Sequence, residues 1–263
     1  MPSTLRTHFH LWHTLVAQEL GARYRGSLLG RAWPVLLPLI MLVIYGFVFG
    51  VVFRARWPDL AENDHLGFTM NLFTGLLVHG LLAESVGAAP GLMQRHANFV
   101  RKVVFPLQIL PAVPLGVALV NLAVGLGILL LVNAFWGSGL HPAVVVVPLL
   151  LLPYLAMLLG LSLALAALGV YVRDLNQVIG ALVTVTLFMS TVFFPRERVP
   201  AALAGVVDLN PISWPVEALR EALLHGHWPT FGGFLNYSAA SLLVLVLGYL
   251  CFRALRPGFA DVL

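Results

Sequence analysis

Residues 143–171 read AVVVVPLLLLPYLAMLLGLSLALAALGVY, a run of 29 residues without a charged side chain. An α-helix needs about 20 mostly apolar residues to cross the hydrocarbon core of a bilayer. The run is continuous rather than alternating in polarity, which favours a helix over a strand of a membrane barrel. The stretch therefore predicts a transmembrane helix that is long enough to tilt or to contain a break.

Five other windows have the same character and predict further spans: 33–53, 67–87, 107–135, 177–195 and 233–253. Four prolines fall in the two longest windows and predict kinks there, because proline lacks an N–H donor and clashes with the preceding turn. They are Pro111, Pro114, Pro148 and Pro153.

The composition of the whole chain agrees with these windows, since 60% of its 263 residues are hydrophobic and only 10% are charged. Soluble domains carry about a quarter charged residues. The formal net charge of +4 does not indicate nucleic acid, because the basic residues stand at the ends of apolar runs and form no stripe. We therefore predict an all-α polytopic membrane protein with six transmembrane helices in one domain, residues 1–263.

The positive charges in the short loops predict the orientation of such a protein. Ten Arg or Lys side chains lie at one set of helix ends and five at the other, where seven acidic residues offset them. The smaller, external group is Arg54, Arg56, Arg196, Arg198 and Arg220. This bias predicts that both termini lie in the cytoplasm.

The N-terminal segment, residues 1–30, precedes the first span. Its apolar residues recur at helical spacing on one face, which predicts a helix lying in the cytoplasmic interface. They are Leu5, Phe9, Trp12, Val16 and Leu20. A plain anchor and a moving gate both fit this pattern, and the candidate gate residues are Phe9, Trp12, Arg23, Tyr24 and Arg25.

A cytoplasmic segment, residues 90–105, connects the second and third spans and mixes apolar side chains with cations. Apolar residues in a cationic setting can dock into a groove on a partner, with the cations fixing the orientation. The candidate contacts are Leu92, Met93, Asn98, Phe99, Arg101 and Lys102. An ordinary positive loop would explain the two cations but not the apolar residues between the charges.

The external segment, residues 196–230, contains the turn signal Asn210-Pro211. Ser213 is a suitable N-cap, and Gly226 can end the helix. We therefore predict short external helices between the fifth and sixth spans, arranged as a shallow re-entrant hairpin.

Motifs of catalysis are absent from the sequence. Lys102 is the only lysine and belongs to no Gly-Lys-Ser or Gly-Lys-Thr loop, so the chain has no P-loop with which to hydrolyse ATP. The centres of the six windows contain no Asp, Glu, Lys or Arg, and we expect Glu84 and His79 to make interfacial polar contacts. The spacing of His8, His10 and His13 does not match a metal-binding helix, so no metal site is predicted.

Two helical faces are candidates for a substrate path, one on the fifth span and one on the first. They contain Thr184, Phe188, Thr191 and Pro195, and Tyr45, Phe49 and Phe53. Hydroxyls and flat aromatic faces suit a sugar chain, which offers both hydroxyls and apolar C–H patches. Aromatic residues at this spacing also serve for packing or face lipid, and both interpretations stay open.

Several motifs resemble ABC-2 type permeases, above all the branch that exports polysaccharides. RYRGSLLGRAW at 23–33 resembles the opening of that family. Further matches are NFVRKVVFP at 98–106, VRDL at 172–175, Asn210-Pro211 followed by EALR at 217–220, and FADVL at 259–263. Each motif is short, but together they cover nearly the whole chain in order.

The resemblance implies a homodimer in the bacterial inner membrane, bound to two copies of a nucleotide-binding subunit that holds ATP and Mg. This complex would move a lipid-linked glycan, of the O-antigen, capsule or teichoic acid type, to the exterior. The segment 90–105 would contact the ATPase, the N-terminal helix would be a gate, and the first and fifth spans would line the channel. Membrane lipids are further partners, and an accessory periplasmic protein is left open.

Two other functions compete with this interpretation. An ABC-2 exporter of a drug or small lipid would need a narrower path. A membrane-bound glycan-lipid transferase would need carboxylates or basic clusters at the membrane face, which the sequence does not contain.

Overall fold

The structure, a computed structural model, describes residues 2–23, 25–26, 29–52, 57, 64–100 and 105–263. Within these ranges the chain forms α-helices, joined by short 3₁₀ and π segments, and no strand. In chain order the helices are α1 (Pro2–Arg23), α2 (Trp33–Tyr45), α3 (His65–Ala88), α4 (Leu92–Arg95), α5 (Ala97–Val100), α6 (Ala112–Trp136), α7 (Val147–Tyr171), α8 (Leu175–Phe188), α9 (Ala201–Leu209), α10 (Ser213–Arg220), α11 (Phe231–Leu255) and α12 (Phe259–Val262).

Five helical segments are long and apolar enough to cross a membrane: Trp33–Gly50, His65–Ala88, Leu107–Trp136, Pro142–Tyr171 and Phe231–Val262. They coincide with five of the six predicted windows and confirm an all-α polytopic membrane protein. The remaining window contains α8, which is apolar but has only 14 residues. Its crossing of the bilayer stays a prediction.

The helix in that fifth window ends at Phe188, so the predicted end at residue 195 is wrong. The amide of Asn210 donates to the carbonyl oxygens of Thr186 and Met189, at 2.9 and 2.8 Å. The Asn210 side chain thus takes the place of the backbone N–H groups that a further helical turn would offer to these carbonyls. The backbone can therefore leave the helix without exposing unpaired polar groups.

Three of the four predicted proline kinks are also wrong. Pro111 precedes α6 as its N-cap, Pro114 lies in its first turn, and Pro148 lies in the first turn of α7. First-turn N–H groups have no partner within the helix, so proline costs no hydrogen bond there. Only Pro153 lies inside a helix, α7.

The helices α7 and α11 pack with their backbones in close contact. A Cβ atom on Gly160 would lie 2.6 Å from the Cα atom of Leu245, and one on Gly248 would clash with the Gly160 carbonyl. Small residues at a membrane helix interface allow this close approach and the dispersion contacts that follow from it. Any larger residue at Gly248 would have to push the two helices apart.

The N-terminal helix α1 and the C-terminal helix α12 pack at one end of the bundle, here called the α1 end. Phe259 of α12 is buried in a cluster with Leu92 and Met93 of α4, and Leu15 of α1 packs against the same cluster. The short helix α10 lies at the opposite end, beside the start of α3, and α9 packs on α10. The N-terminal helix, the segment after α3 and the C-terminus therefore share one side.

Candidate functional site

The N-terminal helix α1 docks onto the start of α6 through the apolar face that its sequence predicts. Trp12 and Val16 pack against Val113 and Val117. The indole N–H of Trp12 donates to the Ala112 carbonyl at 2.8 Å, at the first residue of α6. This hydrogen bond fixes both the position and the rotation of α1 on the bundle.

The other predicted gate residues lie at the two ends of this contact. The Phe9 side chain is 66% exposed, and its ring lies 5.7 Å from that of Trp12. Arg23, the last residue of α1, forms a salt bridge with Glu84 of α3. Arg25 is exposed, and Tyr24 lies outside the described residues.

Glu84 connects three helices through polar contacts. Besides the salt bridge to Arg23, its Oε2 atom accepts a hydrogen bond of 2.8 Å from the Asn121 amide of α6. His79, five residues earlier on α3, is within 3.0 Å of the Val183 carbonyl of α8. Both residues make polar contacts between helices, and together they tie α1, α3, α6 and α8 to one another; their predicted position at the membrane interface stays a prediction.

A cavity of about 560 Å³, here called the inner cavity, lies between α2, α3, α6 and α8. Arg23, His79 and Asn121 supply polar groups to its wall, and Tyr45 of α2 adds an aromatic face. The remaining wall is aliphatic or aromatic and consists of Pro34, Leu37, Pro38, Met41, Phe73, Leu76, Leu77 and Leu187. A mostly apolar space with a few polar groups is typical of a ligand site.

A continuous row of aromatic rings, here called the aromatic row, joins the first and fifth predicted spans. The ring centroids of Tyr45 and Phe49 lie 6.3 Å apart, those of Phe49 and Phe193 5.8 Å, and those of Phe193 and Phe188 5.4 Å. Three of these residues were predicted for the path. Phe193 was missed, because a helix continued to residue 195 places it on a different face from Phe188.

The two threonines predicted beside these aromatics do not share one helical face. Thr184 is exposed on α8, and its hydroxyl donates to the Gly180 carbonyl at 3.2 Å. Thr191 follows the end of α8 and is only 1% exposed. The predicted face is therefore wrong beyond Phe188, since α8 does not continue to Thr191. Phe53 lies outside the described residues.

Arg220, at the end of α10, is the largest fully buried side chain among the described residues. Its guanidinium donates to three main-chain carbonyls, those of Asn71 at 2.9 Å, Thr191 at 2.6 Å and Val192 at 2.7 Å. It also forms a salt bridge of 3.2 Å with Glu217. One side chain thus joins α10 to α3 and to the irregular backbone after α8.

The position of Arg220 corrects its assignment to an external loop. Asn71 is six residues into α3, so the guanidinium reaches roughly 9 Å along that helix. Burial lowers the pKa of Arg220 to about 10, while Glu217 opposes that shift, so the group stays cationic at neutral pH. The ring of Trp57 lies 4.5 Å from the guanidinium carbon and adds a cation–π contact.

The ends of α10 agree in part with the sequence. Gly226 has φ +74° and closes the π-helical turn that follows α10, as predicted. Ser213 does not cap the helix, because it is already the first helical residue and makes no capping hydrogen bond. The side-chain oxygen of Asn210 instead accepts from the Ile212 N–H at 3.2 Å, which stabilises the turn before α10.

The segment after α3 faces inward more than its sequence indicates. Leu92 and Met93 are 3% and 0% exposed, because they complete the cluster around Phe259. Their prediction as direct partner contacts is therefore wrong in this structure. Gln94 and Arg95 hold the segment to the bundle through the carbonyls of Gly169 and Ala88, at 3.0 and 2.7 Å.

The outer surface of this segment presents polar groups instead. Asn98 is exposed. A surface hollow of about 440 Å³ lies beside Gln94 and Arg95, with Asn176 on its far side. The side chain of Phe99 lies outside the part of the chain that the structure describes, as do Arg101 and Lys102.

Comparisons with known proteins find relatives that align with most of this chain. The O-antigen export system permease protein RfbA of Myxococcus xanthus is 29% identical over 94% of this chain and 93% of its own length. The polysialic acid transport protein KpsM of Escherichia coli is 25% identical over 91% of each chain. The daunorubicin resistance ABC transporter permease protein DrrB1 of Streptomyces coeruleorubidus is 27% identical over 81% of this chain and 77% of its own.

The relatives therefore include permease subunits of exporters for two kinds of polysaccharide, and one named for resistance to a drug. A family model described as ABC-2 type transporter matches residues 10–224, which extend from α1 through α10. This chain belongs to the ABC-2 type transporter family.

Proposed function

We propose that this chain is the membrane subunit of an ATP-driven exporter that moves a lipid-linked polysaccharide across the bacterial inner membrane. The observation that carries the proposal is similarity over 91–94% of the chain to permeases named for O-antigen and polysialic acid. The aromatic row supports it, since its four rings, adjacent in space, offer flat apolar faces to the C–H patches of sugars.

A homodimer would complete the path. Only 6% of the window Trp33–Gly50 is buried, and Ile179 is the only buried residue of α8. A single subunit therefore leaves most side chains of α2 and α8 uncovered, and each of these helices ends in a ring of the aromatic row, Tyr45 and Phe188. A second copy packed near them would place two such rows and two inner cavities around one axis.

ATP and Mg would bind to two copies of a separate ATPase subunit, because this chain contains no P-loop. We propose that this partner contacts Asn98 and the hollow beside Arg95, and that the cations Arg101 and Lys102, which lie outside the described residues, take part through their charge. Leu92 and Met93 would not contact the ATPase directly. Because they are buried, they anchor the segment to α7 and α12. Closure of the ATPase dimer could then push on a segment that is firmly joined to the bundle.

In this proposal α1 is a gate. Its salt bridge from Arg23 to Glu84 lies at the wall of the inner cavity, so movement of α1 would open or close that wall. The substrate would enter beside α1 and leave near α10, with both termini in the cytoplasm.

The test is deletion of the gene, followed by location of the polysaccharide. We expect finished chains to accumulate in the cytoplasm, and the wild-type gene to restore them to the surface. Phe193→Ala should restore export only in part, whereas Phe135→Ala, which removes an exposed ring at the far end of α6, should restore it fully. Normal surface polysaccharide in the deletion strain would overturn the proposal.

A paired charge reversal tests the coupling surface. Arg101→Glu with Lys102→Glu should leave the subunit inserted and the ATPase active, while export falls because hydrolysis no longer drives the permease. Arg198→Glu, at an exposed site in the predicted external segment, serves as the control. Full export by the double variant would show that these cations do not couple the two subunits.

Drug export is a second candidate, favoured by the similarity to DrrB1. It predicts that the deletion strain becomes sensitive to a planar aromatic drug while its surface polysaccharide stays normal. The deletion strain therefore distinguishes the two functions.

A further inference from the structure

A groove of about 670 Å³, here called the α1 groove, separates α1 from α7 and α11. Its walls are aliphatic, with Leu159 and Leu163 on α7 and Leu245 and Val246 on α11. The side chains of Phe9 and Trp12 line it from α1. No residue of α2 or α8 lines it, so it is separate from the inner cavity and from the path proposed above.

The polar groups of the α1 groove are concentrated toward α1. His8 of α1, Gln108 before α6 and Tyr249 of α11 lie along its lining. Tyrosine and tryptophan are typical of the interface between hydrocarbon and headgroups. The groove therefore begins at headgroup level near α1 and continues along apolar walls of two spanning helices.

Positive charge accompanies this polar side of the groove. Arg253 lies one turn beyond Tyr249 on α11, and Arg6 lies about one turn before Phe9 on α1; both are exposed. Neither arginine forms a salt bridge with any residue that the structure describes. Exposed cations beside an apolar groove between membrane helices favour an anionic lipid headgroup.

We propose that the α1 groove binds one anionic phospholipid, with an acyl chain between α1, α7 and α11 and its phosphate beside Arg253. An acyl chain is thin and flexible enough to lie beneath α1 without moving it. A helix from a second copy, with a diameter of about 10 Å, would displace α1 and break the Trp12–Ala112 hydrogen bond.

Such a lipid would complete the packing of α1. Val16 is buried against α6 and Trp12 is partly buried there, but Phe9 remains 66% exposed in the protein alone. Acyl carbons in the α1 groove would contact the Phe9 ring and the facing aliphatic wall together. The docking of the first half of α1 would then depend on lipid, and specifically on anionic lipid.

The experiment measures phosphatidylglycerol retained by the full-length protein, in complex with its ATPase if the two copurify, by native mass spectrometry. Val246→Trp fills the groove, and Leu247→Trp places the same ring on the neighbouring, half-exposed position of α11 outside it. Arg253→Gln removes the charge, and Arg198→Gln removes one from the external segment. Phosphatidylcholine is the zwitterionic comparison.

We expect Val246→Trp to lose the tightly held phosphatidylglycerol and Leu247→Trp to keep it. Arg253→Gln should lower the preference for phosphatidylglycerol over phosphatidylcholine by about fivefold, the effect of one basic side chain near an anionic surface. Equal retention by all variants would overturn the proposal. A change of oligomeric state in Val246→Trp without loss of lipid would also overturn it, because the groove would then be an interface between copies.

Discussion

The helices α2 and α3 are consecutive and both apolar, yet they are packed in opposite ways. Within the best apolar stretch of 18 residues in each segment, only 6% of the residues are buried in Trp33–Gly50, against 61% in His65–Ala88. The difference does not follow from hydropathy, because the more exposed helix has the higher mean value, 2.1 against 1.5. Hydropathy identifies helices that enter a membrane, whereas the contacts of each side chain determine which helix remains open for a partner or for lipid.

The largest expected effect is a loss of stability at the buried helix, α3, where Arg220 binds the Asn71 carbonyl. Arg220→Gln would leave the carbonyls of Asn71, Thr191 and Val192 without the donors that they have now. Removing one partner of a buried ionic network costs about 3–5 kcal/mol. We expect a large fall in the thermal unfolding temperature in detergent, or loss of inserted protein.

Two further variants sharpen that result. Arg220→Lys should recover little stability, because a single ammonium cannot replace the planar guanidinium toward three carbonyls. Arg196→Gln removes an exposed bidentate contact to Asp208, whose pKa the Arg196 guanidinium lowers, and should change the unfolding temperature only slightly. Equal effects of Arg220→Gln and Arg196→Gln would contradict the structural role of Arg220.

A smaller effect is expected where α7 and α11 meet. Gly248→Ala places a Cβ atom against the Gly160 carbonyl, and overpacking of this kind costs about 1–3 kcal/mol. Gly127→Ala, in the interior of α6, meets nothing within 4 Å and should be neutral or stabilising. The unfolding temperature should therefore fall in Gly248→Ala and stay the same or rise in Gly127→Ala. An equal change in both variants would contradict the close contact between α7 and α11.

A local effect is expected at α1. Trp12→Phe removes the hydrogen bond to Ala112 but keeps an aromatic ring, at a cost of about 1 kcal/mol. Hydrogen exchange within residues 2–23 should become faster while α3 keeps its protection. His13→Ala, at an exposed site of the same helix, is the control; faster exchange in both variants would mean that the indole hydrogen bond is not what holds α1.

The smallest effect on stability concerns the open face of α2. Val43→Cys in a Cys251→Ser background changes a side chain that is 66% exposed and should alter stability by less than about 0.5 kcal/mol. If α2 faces a second copy, mild oxidation should yield a cross-linked dimer. Leu243→Cys on α11 is 60% exposed and should not cross-link; the reverse pattern would place the second copy on α11.

The helices themselves could be predicted from the sequence because apolar length is a local property. Five of six windows agree with observed helices within a few residues. The apolar face of α1 was also predictable, since Trp12 and Val16 lie one turn apart and both pack on α6. These features need only the period of the helix and the thickness of the bilayer.

Other features depended on residues far apart in the chain. The end of α8 is determined by Asn210, 22 residues later, and no local pattern marks Phe188 as a boundary. Arg220 belongs to the segment predicted to be external and counts there as a loop charge, because charge counting does not reveal which side chain turns inward. By sequence alone, Leu92 and Met93 fit a contact with a partner as well as a place in the core. They are buried because Phe259, more than 160 residues later in the chain, completes their cluster.

One consequence of Arg220 concerns motion. Its guanidinium holds the carbonyls of Thr191 and Val192, and Phe193 is the next residue. If α10 tilts as a body, these carbonyls must follow it or lose their donors, so the Phe193 ring would shift between Phe49 and Phe188. The spacing of the aromatic row is thus mechanically linked to α10, and a force applied to that helix would change the distance between the Phe49 and Phe188 rings.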